Sequence, residues 1–333
     1  MNQLTPSRVG DGIFSSDGKS WEHARALLRP QFTRTQISDL EHEETHVQHF
    51  IQALPPGPDG WTDLVDLSPM FFRLTMDSAT EFFFGESANT QVAELHGTGE
   101  RHAEFARLFD QCQDDLFKAF KYRDFWWIGI TKQVRENCKR AQEYVESYVQ
   151  KALARGAKAS EDRYVFLEQL AKVTSNPVEI RDQLMSILAA GRDTTAGTLS
   201  FLFRILAQRP DVFSKLRETV IQDFGSTGTD SITFDTLKSC QYLQWCLSET
   251  LRLYPSVPGN ARRSTTDTTL PRGGGPKGED RIFVPKGSDV VYLVYDTHRI
   301  PELWGEDAND FRPERWEKRK TGFDFLPFNA GPR

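Results

Sequence analysis

The sequence predicts a mainly α fold with a small β portion. Apolar residues recur at helical spacing up to Tyr254-Pro255, and strand-like apolar runs separated by turn residues follow it. A third observation is core material: 24 Phe, 8 Tyr and 7 Trp among 333 residues, enough to bury a sizeable core in a chain of this length. Helix-rich sequence therefore covers residues 1–254, and mixed strand and loop sequence covers 255–333.

In chain order, Ser20–Arg29 reads as a helix closed by Pro30, because proline cannot continue the hydrogen-bond ladder. Leu54–Gly60 is a Pro/Gly linker, and Phe71–Phe84, Ala103–Phe120 and Val134–Arg155 are further helical stretches. The longest helix opens with Asn176 as N-cap and Pro177 in its first turn. It carries Ile180, Leu184, Ile187, Leu188, Leu199, Leu202, Ile205 and Leu206 on its apolar face and stops at Pro210. Its middle, Ala190-Gly191-Arg192-Asp193-Thr194-Thr195, breaks that apolar pattern, as functional sites often do. Asp235–Leu253 is expected as one helix. Ile282–Val284 and Val290–Tyr295 are expected as two strands paired across Pro285-Lys286-Gly287, with Gly273-Gly274-Gly275-Pro276 as a flexible loop.

Forty-one Lys plus Arg against 47 Asp plus Glu leave a net charge of −6, which excludes the basic surface that phosphate binding by counterion release requires. Nucleic acid is therefore not an expected partner. Cys112, Cys138, Cys240 and Cys246 lack zinc-type spacing and read as reduced thiols. No run of about 18 apolar residues is present, and the N-terminus lacks a signal-peptide pattern.

Several constellations carry chemistry. Asp193 beside Thr194 at mid-helix is a proton-relay arrangement, and Gly191 would let a flat ligand approach the backbone; local bonding that caps or kinks the helix is the competing reading. Glu249 and Arg252 stand three apart on one helix face, by default a solvated pair worth ~0.3–0.5 kcal/mol. Arg315, in Phe311-Arg312-Pro313-Glu314-Arg315-Trp316, could fold back to complete a buried network with them. Arg25, four residues after Trp21, together with Arg262, Arg263 and Arg333 supplies guanidinium donors suited to a cofactor with two carboxylates, although each alone is more often a surface charge.

In this order the motifs resemble the cytochrome P450 family: Trp21-x-x-x-Arg25 the C-helix pattern, Ala190-Gly191-x-Asp193-Thr194-Thr195 the I-helix motif, and Glu249-x-x-Arg252 the K-helix motif. Phe311-x-Pro313-Glu314-Arg315-Trp316 is similar to the loop that completes its network, and Phe328-x-x-Gly331-x-Arg333 to the opening of the haem-binding signature. The resemblance implies a single cytochrome P450 domain over 1–333, incomplete at both ends, with haem b as cofactor. It implies Asp193 and Thr194 as the catalytic pair. Trp21, Arg25, Ala190, Gly191, Arg262, Phe328, Gly331 and Arg333 would contact haem, with Trp21, Arg25, Arg262 and Arg333 on its propionates. Glu249, Arg252 and Arg315 would be structural.

Residues 189–196, Asn260–Arg263 and the Gly273–Gly275 loop resemble the fungal n-alkane and fatty-acid hydroxylase branch. That implies terminal oxidation of a long alkane or fatty acid, with O2, electrons from NADPH through cytochrome P450 reductase, and an anchored position on the cytosolic face of the endoplasmic reticulum membrane. The family's iron-ligating cysteine would fall two positions after Arg333, so the expectation is a fragment inactive by itself, with no metal ligand of its own. The other readings are a catalytically inactive product, a haem-thiolate isomerase or dehydratase, and a helical interaction protein.

Overall fold

The computed structural model describes residues 10–38, 40–96, 100–155, 164–226, 229 and 231–331. The chain divides into two compact units, Met1–Ser200 and Phe201–Arg333.

In the first unit, helices α1 (Gly18–Leu28), α2 (Arg34–Ile37), α3 (Glu41–Gln52), α4 (Leu67–Phe84), α5 (Thr90–His96), α6 (Glu100–Lys121), α7 (Lys132–Arg155) and α8 (Phe166–Val173) lead to α9 (Pro177–Gln208), whose last turns belong to the second unit. Pro30 does not leave a bare helix end: it opens a 3-10 turn, Arg29–Phe32, because its fixed φ suits a helical N-terminus as well as it breaks an interior. Asp66 caps α4 by accepting from the Ser68 N–H, and Gly85, at φ +77°, closes it in the left-handed region that glycine enters without strain. Helical spacing builds the core: Phe105, Leu108, Phe109 and Cys112 from α6 meet Val134, Cys138, Ala141, Val145 and Val149 from α7 and Ile180, Leu184, Ile187 and Leu188 from α9. Asn176 Oδ1 accepts from the N–H groups of Val178 and Glu179, as an N-cap should. At 32 residues α9 is about 48 Å long, and it runs as unbroken α-helix through residues 190–195.

The second unit continues with α10 (Pro210–Phe224), α11 (Phe234–Ser239), α12 (Gln241–Leu253), strands β1 (Gly259–Arg263), β2 (Thr268–Gly274), β3 (Asp280–Val284) and β4 (Asp289–Leu293), and the short α13 (Val294–Thr297) and α14 (Pro301–Trp304). Three sequence expectations are corrected here. The helix expected over 235–253 is two, because Cys240 takes ψ 87° while the Thr233/Thr236 capping box fixes a separate start for α11. The strands flanking Pro285-Lys286-Gly287 do not pair with each other: β1 pairs antiparallel with β4, and β2 with β3. The expected flexible loop at 273–276 is partly strand. Gly273 (φ +111°) and Gly274 end β2 after a register shift between Leu270 and Gly274, and a Cβ on Gly274 would stand 2.9 Å from the Arg281 carbonyl oxygen.

Candidate functional site

The polar break in α9 forms a strip in the first unit. Gly191, Thr194, Thr195 and Thr198 follow one another at i, i+3, i+4 and i+7, so they share a face; Gly191 and Thr195 are exposed, and Ala190, Asp193, Thr194 and Thr198 half-buried. A Cβ built on Gly191 would meet nothing closer than Phe83 Cε2 at 3.7 Å, so the strip is open to a flat group. Thr194 Oγ1 donates to the Ala190 carbonyl at 2.7 Å, the local bonding that the competing reading describes. Asp193 accepts from Arg192 Nη1 at 3.0 Å and from Gln113. Burial raises its carboxyl above the usual aspartate range, against the lowering pull of Arg192. In the same unit Arg25 is exposed, with its guanidinium 5.6 Å from the Trp21 ring centroid.

The second unit holds a buried charge network. Glu249 and Arg252 are 0% exposed and doubly bonded, Nε to Oε2 and Nη2 to Oε1, both at 2.9 Å. This corrects the default of a solvated pair: α12 turns both residues inward with Tyr242, Cys246 and Leu253. Arg315 Nε and the Arg312 N–H also donate to Glu249 Oε1, at 2.9 and 3.0 Å, and Trp316 Nε1 to Oε2 at 3.0 Å. Arg252 Nη1 donates to the carbonyls of His298 and Ala308 at 2.7 and 2.6 Å, and Nη2 to that of Asp310. Such full partnering is the condition under which a buried ion pair is tolerated.

His298, which the sequence did not single out, ties this network to the segment carrying Phe328. Its Nδ1 lies 3.0 Å from the Arg252 carbonyl and its Nε2 accepts from the Leu326 N–H at 2.8 Å, so the neutral ring with its proton on Nδ1 satisfies both partners. Burial, with Arg252 and Arg299 as nearby cations, pushes its pKa down to about 4. The unfolded chain then binds a proton that the native ring refuses, so stability rises with pH between about 4 and about 6.5 and falls progressively on acidification through that window. Denaturant midpoints of wild type and His298→Gln across pH 4–7 check this: the variant should lose part of the slope, and identical slopes would contradict it.

Arg262 is exposed, bonded to Asn260 Oδ1 at 3.1 Å and 5.8 Å from the Tyr292 ring centroid. Phe328 is 80% exposed, and Gly331 takes φ +96°. Arg333 lies outside the described residues.

The sequence profile described as cytochrome P450 matches residues 2–333. The chain belongs to the cytochrome P450 family. It is 47% identical over 341 residues to "Cytochrome P450 monooxygenase g430" of Fusarium sp, covering 98% of this chain and 60% of that protein. Identity is 45% to "Cytochrome P450 52A6" of Candida tropicalis, with 98% and 64% covered. A crystal structure of a cytochrome P450 (CYP102L1) superposes with TM-score 0.78 at 22% identity, covering 99% of this chain and 74% of that one; this likeness shows the fold. The chain thus spans 60 to 64% of the length of these two curated relatives.

Cytochrome P450 proteins bind haem. Within the first unit, the space beside Gly191 suits a flat group and the exposed Arg25 guanidinium beside Trp21 suits a carboxylate; within the second, the exposed Arg262 beside Tyr292 is a donor of the same kind. The four cysteines present do not fit the iron. All are buried; burial pushes Cys246 up to about 12, and contact with Cys138 together with burial raises Cys112, whereas a sulfur ligand must be a thiolate. Haem added to residues 1–333 should give no thiolate-type Soret band in a reduced carbon monoxide difference spectrum. Such a band would show that one of these four sulfurs reaches iron.

Proposed function

We propose that the protein is a haem-dependent monooxygenase that hydroxylates long-chain alkanes or fatty acids at the terminal carbon, with electrons from NADPH delivered by cytochrome P450 reductase. The observation that carries this reading is the open strip on α9 that includes Thr194, together with its sequence neighbour Asp193, whose carboxyl burial holds above the usual aspartate range. Family membership supports the reaction class, and the relative named a monooxygenase supports it further. The substrate class rests on the resemblance of residues 189–196 and 260–263 to the alkane and fatty-acid branch.

By the family resemblance, Trp21, Arg25, Arg262 and Arg333 would hold the haem propionates, and Ala190, Gly191, Phe328 and Gly331 would contact the macrocycle. Haem, when bound, supplies the activation of dioxygen. Asp193 holds a proton, and the Thr194 hydroxyl, able to donate and accept at once, passes it on. Glu249, Arg252 and Arg315 fix the scaffold of the second unit and perform no chemistry. Among the described residues no helix is long and apolar enough to cross a membrane; attachment to the cytosolic face of the endoplasmic reticulum belongs to the proposal through the branch resemblance.

Product analysis tests the reading. Full-length protein supplied with reductase, NADPH and a series of alkanes and fatty acids should yield terminal alcohols; no oxygenated product from any of them would overturn it.

A further inference from the structure

Arg192 is a buried cation that the proposed relay does not use. Its side chain is 5% exposed, and its guanidinium lies 4.9 Å from the Phe72 ring centroid and 5.8 Å from that of Phe109. Nε donates to the Phe72 carbonyl on α4 at 3.4 Å. Nη1 is shared, 2.5 Å from Asp110 Oδ1 on α6 and 3.0 Å from Asp193 Oδ1 on α9. Gln113, one turn beyond Asp110 on α6, also bonds Asp193. A single guanidinium nitrogen, with its two N–H groups, therefore serves carboxylates from two helices.

We propose that Arg192 and Asp110 form a charge latch between α6 and α9 that divides one guanidinium between two carboxylates and so sets how readily Asp193 releases its proton. The inference rests on the reading of Asp193 as the proton-holding group of the relay. Arg192 and Asp110 are positioning residues, acting through Asp193. The groups facing Asp193 are Arg192 on its own helix and Asp110 and Gln113 from α6. Their signs differ: burial and Asp110 raise the affinity of Asp193 for its proton, while Arg192 and Gln113 lower it. The state of α6 thereby reaches the acid. With Asp110 in place Arg192 is half engaged elsewhere and Asp193 keeps its proton to higher pH; without that charge Arg192 turns wholly to Asp193, which gives the proton up.

Infrared titration of the Asp193 carboxyl stretch tests this in the full chain labelled with 13C-aspartate, the band being assigned by its loss in Asp193→Asn. Asp110→Asn, at a half-exposed side chain, should lower the Asp193 pKa by about one unit, and Arg192→Gln should raise it by about one unit. Asp110→Glu should restore the parent value. A merely structural role moves both neutral variants the same way, downward, because loosened packing hydrates Asp193. Shifts of the same sign, or no shift in either, would overturn the latch.

Should Arg192→Gln not fold, Arg192→Lys alone is compared with Arg192→Lys combined with Asp110→Asn. The latch requires a lower Asp193 pKa in the double variant, and equal values would refute it. No turnover enters these titrations, so failure of the relay reading, seen as unchanged coupling in a Thr194 variant, is separable from failure of the latch.

Discussion

Arg252→Ala should cost the folded protein a large part of its stability. The alanine leaves Glu249 buried at 0% exposure without its bidentate partner and frees the carbonyls of His298, Ala308 and Asp310 from the donors they now hold. Breaking a buried pair on one side costs about 3–5 kcal/mol, against a total stability on the order of 5–15 kcal/mol. Arg315 and Trp316 still donate to Glu249, which keeps the loss within that range. Arg252→Lys should rescue poorly, since one ammonium cannot reproduce a planar fork that meets two carboxylate oxygens and three carbonyls. Denaturant unfolding measures the effect, and a midpoint in Arg252→Ala close to the parent's would contradict the structural role assigned to the network.

Thr194→Ala should fold and lose chemistry. The hydroxyl donates to the Ala190 carbonyl one turn back, and deleting such a local bond costs about 1 kcal/mol, partly offset by the better helix propensity of alanine. Under the proposed mechanism the variant lacks the group that passes the proton on from Asp193. Reducing equivalents should then leave as hydrogen peroxide and hydroxylated product should fall, with ~10²–10⁴-fold the usual worth of acid–base assistance. The readout is the ratio of hydroxylated product to NADPH consumed in the full-length protein, with peroxide assayed in parallel. An unchanged ratio would reduce Thr194 to a helix residue.

The fold was legible where local physics decides it. Apolar spacing on α4, α6, α7 and α9 is read directly from residues such as Phe105, Leu108 and Phe109 or Ile180, Leu184 and Ile187, because core packing demands that period. Strand pairing was only half legible: Ile282–Val284 closes a local hairpin with β2, whereas Val290–Leu293 pairs with β1 across that hairpin, a non-local choice that no short-range signal encodes. The same holds for side-chain partners. Glu249 and Arg252 are visible as a pair from their spacing, but His298 and the Arg192–Asp110 contact join residues 46 and 82 positions apart from their partners, and nothing in the neighbouring sequence marks them. In the sequence Arg192 is one polar residue among several, because burial against Phe72 and Phe109 is a tertiary fact.

Isotopic oxygen tests most directly the proposed insertion of an oxygen atom into an apolar chain. Full-length protein turning over a long-chain fatty acid with reductase and NADPH under 18O2 should place one labelled oxygen atom in each terminal alcohol, with the label absent when only the water is enriched. Unlabelled product formed under 18O2, or product formed at the same rate without NADPH, would contradict monooxygenation and favour a haem-thiolate isomerase or dehydratase.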